Sequence, residues 1–134
     1  MKYTKEQKES IKKVADVFSE YLKSAKDMDL LYSEKFGYVV VSGINKNEDA
    51  FCMEPMIIKD GRELCLYLLQ ELGHNFIELT PHTCHDLFEV SDKEQEMIKE
   101  IFRHYINELP EYVDLIEIPF LNPIEEELVS FPTI

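Results

Sequence analysis

Donor atoms for metal chemistry crowd into one stretch of this chain. Between Glu71 and Asp86 stand His74, Glu78, His82, Cys84 and His85, enough nitrogen, sulfur and oxygen ligands for zinc or another transition metal. Their spacing weakens the case. There is no CxxC pair and no HExxH, and the residue four beyond His74 is Glu78 rather than the second histidine of a zincin helix. A helix capped by Thr80 and opened by Pro81 would set His82 against Asp86 and His85 against Glu89 as ordinary surface pairs, and turn Cys84 toward Leu87 and Phe88. A metal-binding protein or metal-dependent enzyme using His74, His82, Cys84 and His85 is therefore the alternative reading, and the main expectation includes no cofactor.

Nucleophilic chemistry is less well supplied. Cys84 and His85 are adjacent, and neighbouring side chains diverge on a helix or a strand alike, so they do not form a ready thiolate and base. Cys52 or Cys65 with a distant histidine is the remaining arrangement. The chain has no GxSxG elbow, no Walker A loop and no GxGxxG, and its four glycines offer little for cradling phosphate. Paired carboxylates are frequent in so acidic a chain and discriminate nothing. The balance leans away from an enzyme.

The charge points to binding instead. The formal net charge is -13, and residues 1–27 carry seven lysines against five acids, so the surplus of acid lies wholly beyond them. After Arg103 no Lys or Arg occurs, while Glu108, Glu111, Asp114, Glu117, Glu125, Glu126 and Glu127 follow. Such a field repels phosphate backbones and suits a basic protein partner. Tyr112 and Phe120, with Ile116 and Leu121, interleave apolar area among those acids, so the segment offers steering charge and contact surface together. A second candidate contact is the aromatic trio Tyr32, Phe36 and Tyr38, since tyrosine is enriched at interface hot spots. The lysines at positions 5, 8, 12 and 23 read as a solvated helix face.

These residues need elements to position them. A chain of 134 residues with a 45% hydrophobic share reads as one domain over 1–134, able to bury well over half of its unfolded surface without disulfide or metal. No apolar run approaches the roughly 20 residues of a membrane helix, and Met1 to Glu6 leads into a charged amphipathic pattern with no h-region of a secretory signal. Three widely spaced cysteines read as buried small hydrophobes in a reducing cytoplasm.

Gly61 to Leu72 is the most apolar helical stretch, and it is expected to organise the core. Asp60 and Glu63 cap its start, Leu64, Leu68 and Leu72 form one row, and the helix ends either at Gly73 or, following the row through Phe76, at Leu79. Ahead of it, Thr4 and Gln7 begin a helix that buries Ile11, Val14, Phe18 and Leu22 and runs to about Lys26. Leu30 to Tyr32 and Tyr38 to Val41 make a hairpin turned at Gly37, and Ala50 to Ile58 adds a third strand that Pro55 confines to an edge or bulges. Ser91 and Glu94 cap a helix through Ile98 and Phe102 that Pro110 stops. Tyr112 to Phe120 offers an edge strand, and Asn122-Pro123 opens a short terminal helix.

The expected fold is α+β, a small antiparallel sheet formed by a three-stranded meander with an optional edge strand, covered by amphipathic helices. The expected function is that of a small acidic cytoplasmic protein acting through protein contacts, as a binding, regulatory or inhibitor/immunity-type module. Its site would be Glu108, Glu111, Tyr112, Asp114, Glu117, Phe120, Glu125, Glu126 and Glu127. The expected partner is a basic protein, without direct nucleic-acid or membrane contact, and a homo-oligomer is compatible with it.

Overall fold

The computed structural model describes residues 2–25, 28–42, 44–45, 50–51, 55–79 and 86–121. The fold is α+β, and the chain gathers into two compact units, Met1–Leu64 and Cys65–Ile134.

In the first unit, Thr4 opens helix α1 (Lys5–Val17). Its hydroxyl accepts the Gln7 N–H at 3.0 Å, and Gln7 returns the bond to the Thr4 N–H at 2.8 Å, so two donors that a first turn leaves orphaned are paired. The helix buries Ile11 and Val14, then breaks at Phe18, whose ψ of 11° leaves the helical range, before α2 (Ser19–Ser24) continues. The expected single helix is thus two, with Phe18 fully buried at the joint and Leu22 only half-buried.

Strands β1 (Met28–Ser33) and β2 (Gly37–Ser42) form the expected hairpin, in a register that sets Leu31 opposite Val39 and Ser33 opposite Gly37. Gly37 has a φ of 85°, where a side chain is strained, and a Cβ there would also run into the Tyr3 ring and hydroxyl. That hydroxyl donates to the Ile58 carbonyl at 2.6 Å and accepts the Tyr38 N–H at 2.9 Å.

The third strand is shorter than expected. Ala50–Phe51 (β4) pairs with Ile44–Asn45 (β3) as a separate two-stranded ribbon, and only Met56–Ile58 (β5) joins β2, on the far side from β1. Pro55 cannot donate to a ladder, so the pairing of β5 starts after it. Across the sheet Leu31, Val39 and Ile57 form one row, with Leu31 and Ile57 exposed.

Helix α3 (Gly61–Leu79) begins in the first unit and runs through the second, past Gly73. Asp60 caps it by accepting the Glu63 N–H at 2.9 Å, while Ser10 accepts the Gly61 N–H at 2.9 Å. Gly73 lies inside the helix, with Leu87 occupying the space beside it: a Cβ there would lie 2.7 Å from a Leu87 methyl. The buried row accordingly runs Cys65, Leu69, Gly73 and Ile77 beside Leu64 and Leu68, and Leu72 is half-buried rather than interior.

In the second unit a short 3-10 turn (Leu87–Glu89) precedes α4 (Asp92–Ile106). Ser91 caps α4 by accepting the Glu94 N–H at 3.3 Å. Two 3-10 helices follow, Pro110–Ile116 and Ile118–Phe120, where the sequence suggested an edge strand. The reason lies in the period. Tyr112, Leu115, Ile116, Pro119 and Phe120 are the inward residues, recurring every three or four positions as on a helix rather than every second one as on a strand. Pro110 and Pro119 sit in the first turns, where their missing N–H is not needed. The expected turn at Thr80-Pro81 and the terminal helix after Asn122 lie outside the described residues.

Candidate docking surface

The arrangement at the end of α4 follows from one proline. Leu109, fully buried, donates its N–H to the Ile106 carbonyl at 2.8 Å, and Pro110, unable to extend the ladder, opens a helix of three residues per turn. Tyr112 (φ -113°, ψ 19°) departs from helical geometry, so the segment is two short turns joined at a kink; Leu115 and Ile116 are buried, Tyr112 is half-buried, and Glu111, Val113 and Asp114 are exposed.

Pro110, Val113 and Ile116 share a groove with the last turn of α4. Arg103, Ile106 and Asn107 form one wall, Pro110, Val113 and Ile116 the other, and between them lies a groove of about 410 Å³. Ile106 and Ile116 are its buried floor, and Val113, 60% exposed, is the most open large apolar residue of its kind in the described chain. Glu108, Glu111 and Asp114 are exposed in the same segment and do not line the groove.

Glu117 is held differently. Lys99 is 9% exposed, and its ammonium lies 2.9 Å from the Glu117 carboxylate, 3.8 Å from Glu96 and 5.4 Å from the centre of the Phe120 ring. A charge so far from water requires partners of this kind. Glu117 is thus matched by a lysine from the preceding helix. Phe120 lies 5.8 Å from Phe102 and is 9% exposed, so it belongs to the interior and offers no contact area, contrary to its expected place in the site. Tyr112 is half-buried, and Glu125, Glu126 and Glu127 lie outside the described residues. Nearby on α4, burial pushes the Tyr105 phenol above its ordinary value.

Of the metal candidates, His82, Cys84 and His85 lie outside the described residues. His74 shares a pocket of about 230 Å³ with Gln70 and Asp86 over an apolar lining that includes Leu87 and Pro119. Among the described residues no three His, Cys, Asp or Glu side chains are placed to hold one ion. Cys65 is a buried thiol in α3. In the first unit, Tyr32 and Phe36 are about half exposed, the Tyr32 and Tyr38 rings pair at 4.9 Å, and Lys35 lies over Phe36 at 5.5 Å.

Val113, Arg103 and Asn107 are the site residues that sequence reasoning missed. The only signal was the pair of prolines, Pro110 and Pro119, which favour helical turns over a strand in this segment. The chain matches no protein-family model, no curated protein and no solved structure. No helix among the described residues is long and apolar enough to cross a membrane.

Proposed function

We propose that this chain is a small acidic cytoplasmic binding module, of regulatory or inhibitor/immunity type, that docks a basic protein through the segment after α4. The observation that carries this reading is the exposure of Glu108, Glu111 and Asp114 in one short segment with the exposed apolar side chain of Val113. Charge brings a partner in and selects its sign, while apolar area near the charge supplies the contact that holds it. Acids alone would serve solubility equally well. Their occurrence in the same segment as Val113 supports recognition.

The test is affinity capture from the native host with wild type and a Glu108→Lys, Glu111→Lys, Asp114→Lys variant side by side. All three residues are exposed, so the variant should keep its fold, as the thermal midpoint will check. Loss of basic proteins from the captured set is expected; an unchanged set from a folded variant would overturn the reading.

A further inference from the structure

We propose that the pocket between α3 and the two 3-10 turns Leu87–Glu89 and Ile118–Phe120 binds a small organic cation, a primary amine carried on a single apolar ring. The three elements meet within the second unit, Leu87 against Gly73 of α3 and the two turns against each other, and the pocket they form has a volume of about 230 Å³. Three polar side chains converge on it. Gln70 and His74 stand four residues apart, on one face of α3, and Asp86 is the N-cap residue of the first turn. The Asp86 carboxylate makes no cap bond there, and among the described residues none of the three side chains has a hydrogen-bond or ion-pair partner. A few open polar groups over an apolar lining are what orient a ligand in a small-molecule site.

The lining selects the occupant. Among the described residues Asp86 supplies its one carboxylate, and no Lys or Arg lines it. The second unit carries three Lys or Arg, at Lys93, Lys99 and Arg103, against fifteen Asp or Glu, so the surrounding field favours a cation and opposes an anion. An ammonium paired with Asp86 has further N–H donors, which the Gln70 carbonyl oxygen and a His74 ring nitrogen can accept. The apolar part of the lining, with Leu87 and Pro119 buried and Leu66, Phe88 and Ile118 half-buried, gives a ring its contact area. The volume falls short of the roughly 300 to 1,000 Å³ of a drug-sized site, which limits the body of the ligand to one ring. None of these residues belongs to the segment 108–114, so the proposal stands independently of the docking surface.

The test uses the full chain and three probes: phenethylamine, its neutral analogue phenethyl alcohol, and ethylamine, which keeps the charge without the ring. Binding is measured by calorimetry, and the contact is mapped by methyl chemical shifts. Phenethylamine should bind at least five-fold tighter than either of the others, with its largest shifts at Leu66, Leu87 and Ile118. Asp86→Asn, at an exposed position, should weaken phenethylamine about five-fold, the yield of a partly solvated ion pair, and leave phenethyl alcohol unchanged. Glu100→Gln removes an equal charge from an exposed position of α4 outside the pocket and should alter neither. Equal affinity for the amine and the alcohol, an amine that binds Asp86→Asn as tightly as wild type, or shifts centred elsewhere would overturn the proposal.

Discussion

Lys99 shows how a single residue can tie charge to the interior. Its stem packs out of water while its ammonium reaches Glu117 at 2.9 Å and overlies Phe120, so both the hydrocarbon and the charge have partners. Because Glu117 itself is well exposed, the ion pair alone is worth little. The packing of the stem should matter more. Lys99→Met, which keeps length and apolar volume, is expected to change stability by no more than about 1 kcal/mol, whereas Lys99→Ala should cost about 1 to 3 kcal/mol by emptying that space. Urea unfolding of the two variants checks this, and equal losses would show that the charge rather than the stem is what holds. None of this was legible in the sequence, since Lys99 and Glu117 lie on different elements and only the turn of the chain at Pro110 brings them together. The local devices were legible. Thr4 with Gln7, Asp60 with Glu63, Ser91 with Glu94 and the positive φ of Gly37 all act within a few residues, so their chemistry is written where they stand.

Elements were readable in proportion to how strongly a single period ruled them. The helices α1, α3 and α4 carry long apolar repeats and appear where that repeat lies, although Phe18 breaks the first and Gly73 fails to end the third. Gly73 has the composition of a helix stop, but a close neighbour in Leu87 gives it another use. Short segments misled because propensity competed with period. Val113, Ile116 and Ile118 favour strands, yet Pro110 and Pro119 and the three-residue recurrence of inward side chains give 3-10 helices. The same error moved the expected contact area to Phe120, which is interior, and away from Val113, which is exposed. For α3 the expectation is quantitative. Leu64, Leu68 and Leu69 are fully buried, and truncating Leu68 to Ala should cost about 2 to 5 kcal/mol. A loss below about 1 kcal/mol in denaturant unfolding would remove α3 from the centre of this account.

On the scale of the whole chain, two properties are set by composition. The first is the apolar share, which leads to the expectation of a fold that stands without metal: chelator should leave the thermal midpoint unchanged, whereas a structural zinc would contribute directly to folding. A midpoint that fell with chelator and recovered with zinc would favour the His74, His82, Cys84 and His85 reading. The second property is the field. With a net charge of -13 and no Lys or Arg after Arg103, a basic partner of the kind proposed would be attracted from beyond contact range. That attraction is screened over a Debye length of about 8 Å at physiological ionic strength, while the apolar contact at Val113 is indifferent to salt. Association with a basic partner should therefore slow steeply as salt rises, and dissociation should change little. Reversal of Glu108, Glu111 and Asp114 to Lys should reproduce the slowing at low salt and flatten the salt dependence, whereas Val113→Glu should leave the association rate nearly unchanged and speed dissociation. Stopped-flow mixing and surface-bound dissociation separate the two rates. If all four substitutions acted on the dissociation rate alone, the acids would be contacts rather than steering charges, and the long-range part of the proposal would be lost.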